Sequence, residues 1–460
     1  MTSLKVNQSI FREYDIRGQA ERDLTDEVVT NIGRAFAEVL DARGLSGDIA
    51  VGHDCRLTAE RLRDAFHKGL IESGRNVIDI GMVPTPILYF APFHWDLAGA
   101  VIITGSHNPA PDNGFKLLAG KSALHGSDIR AMGKRVAEDD FSTSQTPGTI
   151  RKDDIVPAYL KHATSTLHFG KRRPKVVVDA GNGAGGPAAI ALYESLGFDV
   201  VPLYCEMDGR FPNHHPDPTV EANLQDLIAA VRKEKAEVGI ALDGDADRIG
   251  AVDGEGNILW GDQLMVLFGR AILKEKPGSV IVAEVKCSQA LYDELEKAGG
   301  SPLMWKVGHS LIKAKMKEVG AELGGEMSGH IFFANRYLGF DDAIYAGARL
   351  LEILSHSETT LHELYESLPK LINTPEIRIE CPDEKKFAAI ERITQAMKKH
   401  PDVKSVVDVD GVRASFENGW GLLRASNTQP AVVMRCEAST RSELAKIQKV
   451  LESELAAATT

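Results

Sequence analysis

The segment Thr104-Gly-Ser-His-Asn-Pro109 follows Ala98-Gly-Ala-Val-Ile-Ile103, which is short and apolar and predicts a buried strand. The glycine before Ser106 and the proline after it predict a tight turn at the end of that strand. In this position a serine hydroxyl faces a cleft, where it can attack or carry an acyl or phosphoryl group. A plain polar turn explains the segment at least as well when it is taken alone, so its meaning depends on the other motifs of the chain.

Composition limits the class of protein. With 460 residues the chain is too long for one hydrophobic core, and three or four domains are expected. The net charge of −12 argues against a nucleic-acid-binding protein, and any phosphate site needs a local cluster of Arg and Lys. The five cysteines form no CxxC motif, which predicts neither a disulfide framework nor a zinc site. Because the sequence shows no signal core and no apolar run of bilayer length, we expect a cytoplasmic protein without a membrane partner.

Strand-like and helix-like segments alternate along most of the chain, which predicts an α/β architecture. An amphipathic helix is predicted over residues 25–43, with Thr25 as its N-cap and Gly44 at its end. A strand over residues 49–51 and a helix over residues 58–72 follow it. This repeated order of apolar strand, glycine-bearing or polar loop, and helix indicates related α/β units.

Changes in composition predict where these units end. A charged stretch rich in Ser and Thr, residues 138–152, is the first predicted boundary. A second unit closes near Asp253, and a third extends from Asp262 to about residue 367. The last ninety or so residues differ, because two predicted helices bracket a run of short strands. This pattern predicts an antiparallel α+β domain.

A loop with three alternating carboxylates, Asp243-Gly-Asp-Ala-Asp247-Arg248, lies between two strand-like segments. Three such side chains on a pliable turn can direct their oxygens at one point, and oxygen ligands suit a hard cation such as Mg²⁺. An EF-hand is excluded because Arg248 and Gly254 stand where that loop needs Gly and Glu, and because the flanks are strands. Without a cation or an arginine the three charges repel one another, so a solvated acidic turn is the weaker interpretation.

A glycine pattern, Gly181-Asn-Gly-Ala-Gly-Gly186, matches GxGxxG after a strand, with Glu206 about twenty residues later. A tight crossover from strand to helix needs the same glycines. Since nothing else in the chain indicates hydride transfer, dinucleotide binding is the weaker interpretation.

Other polar clusters occur once in each predicted domain. Alone, each is more often a structural group, but together they indicate one site. In an extended loop, side chains at alternate positions face one side, as sugar hydroxyls require, and guanidinium groups beside hydroxyls predict a phosphate clamp. The clusters contain Tyr14 and Arg17; Lys116; Lys286 and His309; Glu326, Ser328 and His330; and Arg424, Ser426, Asn427, Thr428 and Arg435.

Five ordered motifs resemble the α-D-phosphohexomutase superfamily, and more closely its bacterial phosphomannomutase/phosphoglucomutase members. They are Tyr14-Asp-Ile-Arg-Gly18, Thr104-Gly-Ser-His-Asn-Pro109, Asp243-Gly-Asp-Ala-Asp-Arg248, Gly325-Glu-Met-Ser-Gly-His330 and Arg424-Ala-Ser-Asn-Thr428. The resemblance spans nearly the whole chain. It implies three related mixed α/β domains plus a C-terminal α+β domain around one central cleft. The implied domains are 1–152 with the phosphoserine, 153–254 with the metal, 255–367 for sugar recognition and 368–460 as phosphate clamp.

The resemblance also implies the reaction and the roles of residues. The reaction is reversible phosphoryl transfer between O1 and O6 of mannose and glucose phosphates, through a hexose 1,6-bisphosphate. We therefore expect a small phosphosugar as substrate, Mg²⁺ as cofactor, glucose 1,6-bisphosphate as activator, and a monomer. The implied catalytic residues are Ser106 as phosphoserine, Lys116 and His330 for proton transfer, and Arg17, and the implied metal ligands are Asp243, Asp245, Asp247 and Ser106. The implied substrate contacts are Tyr14, Arg248, Lys286, His309, Glu326, Ser328, Arg424, Ser426, Asn427, Thr428 and Arg435.

Two alternatives stay open. A phosphoglucosamine mutase typically has Gln at the position of Met327, so the methionine favours hexoses without nitrogen. A phosphatase would use Ser106 and hydrolyse its phosphoenzyme, but a sugar loop and a separate clamp favour return of the phosphoryl group. A non-catalytic phosphosugar sensor would be expected to lack Ser106 or one of the aspartates, and all are present.

Overall fold

The structure is a computed structural model that describes residues 4–426 and 429–459. The chain forms two compact units. The larger unit consists of Met1–Leu264 and Ser328–Tyr365, and the smaller consists of Met265–Met327 and Glu366–Thr460. Within the described ranges, no helix combines the length and the apolar character needed to cross a membrane.

The first sheet of the larger unit has seven strands in the order β1-β5-β4-β2-β3-β7, with β6 on β5. Strands β4, β2, β3 and β7 are parallel neighbours, whereas β5 is antiparallel to both β4 and β1. The elements are β1 (Ile16–Gln19), α1 (Ala20–Asp23), α2 (Asp26–Ala42), β2 (Ile49–His53), α3 (Ala59–Glu72), β3 (Val77–Met82), α4 (Thr85–His94), β4 (Gly99–Ile103), β5 (Asp112–Ala119), β6 (Ser122–Ala123), α5 (Ser127–Glu138) and β7 (Ile150–Lys152).

Helix α2 shows why the sequence pattern is a reliable guide here. The Thr25 hydroxyl accepts the amide proton of Val28 at 3.4 Å, and Gly44 has φ +65° just after the helix. The apolar face is buried, and full burial of each large side chain contributes about 1.5–3 kcal/mol. Gly69 allows close packing on α3, because a Cβ there would lie 2.0 Å from the carbonyl oxygen of Thr30. The predicted helix is therefore confirmed.

The second sheet of the larger unit has the order β12-β11-β10-β8-β9. Strand β8 is parallel to β9 and β10, and β10 and β11 form an antiparallel hairpin that carries the three-aspartate loop. The elements are α6 (Val156–Ser165), β8 (Val176–Asp179), α7 (Gly186–Ser195), β9 (Val200–Leu203), α8 (Gln225–Glu234), β10 (Val238–Leu242), β11 (Ile249–Asp253), β12 (Ile258–Leu259) and α9 (Gly261–Glu275).

The chain then continues in the smaller unit, where β13 has parallel neighbours on both sides. These elements are β13 (Val280–Glu284), α10 (Gln289–Lys297), β14 (Ser301–Trp305), α11 (His309–Val319) and β15 (Leu323–Gly325). The carboxyl ends of the three parallel strands therefore lie at one edge of the sheet. The larger unit is completed by β16 (Ile331–Phe333), α12 (Ala343–Ser355) and α13 (Leu361–Glu366).

The C-terminal part of the smaller unit is an antiparallel sheet in the order β17-β22-β21-β20-β19, with β18 on β22. Helices α14 and α15 pack against it through an apolar cluster. The elements are β17 (Ile372–Asn373), β18 (Ile377–Glu380), α14 (Asp383–Met397), β19 (Ser405–Val407), β20 (Val412–Phe416), β21 (Gly419–Ala425), β22 (Ala431–Ala438) and α15 (Arg441–Thr459). The predicted fold class, three α/β units followed by an α+β unit, is confirmed.

Asp342 is a buried carboxylate that caps α12. It accepts the amide proton of Tyr345 at 2.8 Å and the hydroxyl protons of Tyr159 at 2.9 Å and Tyr337 at 2.8 Å. Burial raises the pKa of Asp342 to about 6, although these hydrogen bonds oppose the shift. Since the folded-state pKa exceeds the ordinary value of 3.8, the folded protein binds more protons between these two pH values, and its stability falls as pH rises through this window.

We predict that Asp342→Asn removes this pH dependence. The neutral amide mimics the protonated acid, so the variant gains unfolding free energy relative to the unsubstituted protein by about 2 kcal/mol between pH 4 and pH 7. Urea unfolding at a series of pH values measures this difference. A difference that stays constant across the window would contradict the prediction.

Candidate active site

The serine loop follows β4, as predicted. Ser106 is buried, and its Oγ donates a hydrogen bond to Asp243 Oδ2 at 2.7 Å. Its φ of +49° lies in the left-handed region, which costs a non-glycine residue on the order of 1–3 kcal/mol. Such a conformation persists only where the surrounding structure enforces it, and it directs the hydroxyl at the three-aspartate loop.

Arg56 holds the serine loop in this conformation. Its guanidinium donates to the carbonyl oxygens of Ser106 at 2.7 Å and Asn108 at 2.6 Å, and also to those of Pro109 and Asp112. Asp54 accepts the Thr104 hydroxyl proton at 2.8 Å. Sequence reasoning missed both residues. The available signal was their position directly after β2, because β2 and β4 are parallel neighbours and end at the same sheet edge.

The three aspartates lie together in the turn between β10 and β11. All three side chains are fully buried, and one carboxylate oxygen from each lies within 4.8 Å of the others. Within the part of the chain that the structure describes, Asp245 Oδ1 and Asp247 Oδ1 are buried and accept no hydrogen bond. Buried carboxylate oxygens without donors are costly unless a cation binds them, so the donor set fits Mg²⁺.

Lys116 lies on β5, opposite Ile102 of β4. Its Nζ donates to Asp245 Oδ2 at 2.6 Å and to Asp247 Oδ2. Burial by itself would lower the pKa of Lys116, but the two carboxylates raise it well above its usual value. Burial likewise opposes ionisation of Asp245, yet Lys116 and the hydroxyl of Thr85 hold the pKa of that carboxyl below its usual range. Lys116 is thus a cation beside the aspartates in the resting protein, and Thr85 is a neighbour that sequence reasoning missed.

The pKa of Asp243 is shifted in the opposite direction from that of Asp245. Burial and then the charges of Asp245 and Asp247 raise its pKa well above the usual value. Asp243 Oδ1 accepts the amide protons of Asp247 at 3.0 Å and Arg248 at 3.1 Å, which shapes the turn. A bound cation removes the repulsion that raises this pKa.

Arg17 contacts the serine loop from β1. It donates to the carbonyl oxygen of Gly105 at 3.2 Å and to Asn108 Oδ1 at 2.8 Å, and it pairs with Asp15 at 2.7 Å. Tyr14, which lies earlier in the same segment, is half-buried. The structure therefore places the predicted assisting arginine beside Ser106.

His330 lies beside the aspartates with its two nitrogens in different surroundings. Nε2 accepts a hydrogen bond from Arg248 Nε at 2.9 Å, so the ring proton is on Nδ1. Nδ1 faces Asp341 Oδ2 at 3.1 Å and Asp247 Oδ1 at 3.5 Å. In this tautomer Nε2, which accepts from Arg248, is the ring nitrogen that carries no proton. Asp341, the partner of Nδ1, was not singled out from the sequence.

The predicted sugar and phosphate contacts of the smaller unit form a second group. Glu326 accepts the amide proton of Gly308 at 2.6 Å, next to the buried His309. Arg424 donates to Asp410 at 3.0 Å, and that carboxylate also accepts the amide proton of Val307 at 3.0 Å.

The remaining predicted contacts of the smaller unit are also held by neighbours. These contacts join Lys286 Nζ to Glu376 at 3.2 Å, Arg435 to the sulfur of Met327, and Ser426 Oγ to the amide of Gln429 at 3.2 Å.

Each unit therefore contains its own part of the predicted site. Asn427 and Thr428 lie outside the described residues. Ser328 is half-buried and begins the segment by which the chain re-enters the larger unit. The larger unit brings together Ser106, Arg17, Lys116, Asp243, Asp245, Asp247, Arg248 and His330, and the smaller contains Lys286, His309, Glu326, Arg424, Ser426 and Arg435.

The geometry of the larger unit defines a class of protein. A strained serine hydroxyl, a buried triad of oxygen ligands, a fixed cation and a buried imidazole beside the triad are the parts that metal-assisted phosphoryl transfer requires.

Comparisons with known proteins narrow this class. Models of the phosphoglucomutase/phosphomannomutase α/β/α domains I, II and III match residues 8–142, 157–256 and 260–372, and that of the C-terminal domain matches residues 376–453. A phosphomannomutase/phosphoglucomutase of Pseudomonas aeruginosa is 45% identical over 449 residues, 98% of this chain and 96% of that protein. A phosphoglucomutase of Neisseria gonorrhoeae is 43% identical over 96% of both chains.

A solved structure also matches the chain over nearly its whole length. The crystal structure of a phosphoglucomutase/phosphomannomutase family protein from Burkholderia thailandensis has a TM-score of 0.92 at 41% identity, over 99% of this chain and 98% of that one. The chain therefore belongs to the phosphoglucomutase/phosphomannomutase family. This membership confirms the resemblance and the prediction of an enzyme.

Proposed function

We propose that this enzyme interconverts the 1-phosphates and 6-phosphates of glucose and mannose by phosphoryl transfer through Ser106. The observation that carries the proposal is the hydrogen bond from Ser106 Oγ to Asp243, within a triad in which Asp245 Oδ1 and Asp247 Oδ1 are buried and accept no hydrogen bond from the described residues. A phosphoryl group on that hydroxyl adjoins the triad directly. The substrate is a small phosphosugar, and because one chain carries both the serine loop and the sugar loop, we propose a monomer.

The residues present fit Mg²⁺, with Asp243, Asp245, Asp247 and a phosphoserine oxygen as ligands. When bound, Mg²⁺ neutralises charge on the transferring phosphoryl group. Uncatalysed phosphate-monoester cleavage is so slow that roughly 20 kcal/mol of barrier lowering is needed, which an unassisted serine does not supply. Lys116 adds a fixed positive charge beside the same oxygens.

The reaction takes place in two transfers. In the first, the O6 hydroxyl of a hexose 1-phosphate attacks phosphoserine 106 and its proton passes to His330 Nε2, while the serine oxygen takes a proton from Lys116 Nζ as its P–O bond breaks. The product is a hexose 1,6-bisphosphate. In the second, the bisphosphate has turned round, Ser106 Oγ attacks the phosphate on O1 and returns its proton to Lys116. The bond from phosphorus to O1 breaks, O1 takes the proton held by His330, and the 6-phosphate is released. Asp341 orients His330 for both proton transfers, since it faces Nδ1.

The turned intermediate requires a clamp that accepts either phosphate. We assign this role to Arg424, Ser426, Asn427, Thr428 and Arg435, with Lys286 and His309 nearby in the same unit. Glu326 and Ser328 would hold sugar hydroxyls, and Tyr14 and Arg248 would contact the substrate beside the serine loop. Loss of the bisphosphate leaves Ser106 without its phosphoryl group, so glucose 1,6-bisphosphate acts as activator.

A coupled assay tests the function. With activating bisphosphate, both glucose 1-phosphate and mannose 1-phosphate are expected to yield 6-phosphates without stoichiometric release of inorganic phosphate. Release of free phosphate in step with substrate loss would instead identify a phosphatase, and exclusive turnover of glucosamine 1-phosphate would identify the aminosugar mutase.

Metal removal gives a separate prediction. Dialysis against EDTA is expected to lower activity by at least about 100-fold, because Lys116 alone cannot neutralise the transferring group. Added Mg²⁺ restores the rate, whereas Ca²⁺, which is larger and less strict in coordination geometry, restores little. Full activity in the presence of EDTA would contradict the assignment of the triad.

A further inference from the structure

Glu284 ends β13 and is fully buried, although it belongs to none of the groups assigned above. Its carboxylate accepts the amide protons of Met327 at 3.1 Å, through Oε1, and of Lys286 at 3.4 Å, through Oε2. Its main-chain oxygen accepts the hydroxyl proton of Tyr292 at 2.9 Å and the amide proton of Cys287 at 3.0 Å. The side chain is therefore fixed at its own strand end and extends to the loop that follows β15.

That loop is the proposed sugar-recognition loop. Met327 stands between Glu326 and Ser328, so its amide is the main-chain point from which both neighbours extend. The side chain of Glu326 is held separately by the amide of Gly308, and the sulfur of Met327 contacts Arg435. Glu284 thus anchors the loop backbone at Met327, whereas the other two contacts anchor side chains.

The charge of Glu284 also connects it to substrate binding, because it acts on Lys286, a proposed substrate contact. Lys286 Nζ lies 3.7 Å from Glu284 Oε1 and 3.2 Å from Glu376 Oε2. The charged groups that act on Glu284 are Lys286, Glu326 and Arg424, and Glu376 acts through Lys286. Burial raises the pKa of Glu284 to about 7, with Lys286 opposing the shift. The charge of this carboxyl therefore changes within the physiological pH range.

We propose that Glu284 is a positioning residue that sets substrate affinity by holding the Met327 amide and balancing Lys286, without touching the substrate. The proposal rests on the proposed function. Its chemical basis is that a charged acceptor holds a buried N–H more strongly than a neutral one. Ionisation of Glu284 then orders the sugar-recognition loop, and its protonation loosens the loop.

The test compares Glu284→Gln with the unsubstituted enzyme for glucose 1-phosphate turnover at pH 6 and pH 8, with Mg²⁺ and bisphosphate present. At pH 8 we expect KM to rise about 10-fold and kcat to change less than about 3-fold, because the lost charged hydrogen bond holds the sugar-recognition loop and takes no part in the phosphoryl transfer itself. At pH 6, where Glu284 is itself protonated, the KM ratio is expected to fall to about 2. Ionisation of the substrate phosphate affects both enzymes equally and cancels in the ratio.

Glu437→Gln is the matched control. Glu437 is also a buried glutamate of the smaller unit, and it accepts the Gln289 amide proton at 2.9 Å and the Trp420 indole proton at 2.8 Å. Its KM ratio to the unsubstituted enzyme should be the same at both pH values. If Glu284→Gln does not fold, Glu284→Asp replaces it: it keeps the charge but is one methylene short of Met327, so it should raise KM at pH 8 and do so less at pH 6.

The outcomes distinguish failure of the positioning role of Glu284 from failure of the proposed function. A KM ratio that is equal at pH 6 and pH 8, or a loss confined to kcat, overturns the positioning role of Glu284 and leaves the proposed function intact. An unsubstituted enzyme that converts no hexose phosphate overturns the proposed function itself.

Discussion

Replacement of Ser106 with alanine is expected to lower kcat at least about 1,000-fold, because removal of a nucleophile eliminates the covalent route and leaves only binding and electrostatic effects. The Ser106 hydroxyl is the described side chain that donates a hydrogen bond to Asp243, at 2.7 Å. No described neighbour therefore takes over its role as nucleophile. Lys116 is protonated, and the proposed base is an imidazole rather than a second hydroxyl. Steady-state turnover of glucose 1-phosphate with bisphosphate measures the loss.

A labelling experiment distinguishes a lost nucleophile from a damaged fold. The unsubstituted enzyme should retain ³²P from labelled hexose bisphosphate through denaturation, and Ser106→Ala should retain none. Ser355→Ala is the control, since Ser355 is also buried in the larger unit and its hydroxyl bonds to the Gly170 amide and the Glu352 carbonyl. Equal labelling or equal turnover by Ser106→Ala would refute the assigned nucleophile.

Local physics made much of the fold predictable. Helix α2 follows from a period of apolar residues with a threonine at one end and a glycine at the other, and both ends act as predicted. Strands β17 and β18 were not predicted, because they are only two and four residues long. In β18, half-exposed isoleucines alternate with Arg378 and Glu380, so the segment carries little apolar signal and depends on pairing with β22.

The site was predictable where chemistry is concentrated in one loop. The Asp243–Asp247 turn needs only its own residues to gather three carboxylates, and Ser106 needs only the strand before it. Arg56, Thr85, Asp341 and Glu284 each act on a loop that is distant in sequence, and strand order alone brings them there. Arg56 shows the difficulty most clearly, since it binds main-chain carbonyls and no partner residue type identifies it.

The predicted domain limits differ from the division of the structure into compact units. The predicted domains end at residues 152, 254 and 367, and these limits remain a prediction. The compact units instead divide within α9 and between Met327 and Ser328, inside the proposed sugar-recognition loop. Such a division depends on which segments pack together, and composition carries no signal for it.

Lys116→Met is expected to lower kcat by about 100- to 1,000-fold and also to destabilise the protein in the absence of metal. The lysine is the charge that Asp245 and Asp247 share, and removal of one partner from a buried ion pair costs about 3–5 kcal/mol. The kinetic loss follows because a buried cation beside the transferring group and a proton donor are lost together.

Metal dependence of stability is the sharper consequence of Lys116→Met. With the ammonium absent, three buried carboxylates repel one another unless a divalent cation offsets their charge, so Mg²⁺ should raise the Tm of the variant more than that of the unsubstituted protein. Lys315→Met is the control, because Lys315 is a partly buried lysine of the smaller unit that pairs with Glu318 at 2.6 Å. Its Tm should respond to Mg²⁺ as the unsubstituted protein does. An equal Mg²⁺ response in Lys116→Met would show that the lysine does not balance the triad, and a kcat within about 3-fold would remove it from the reaction.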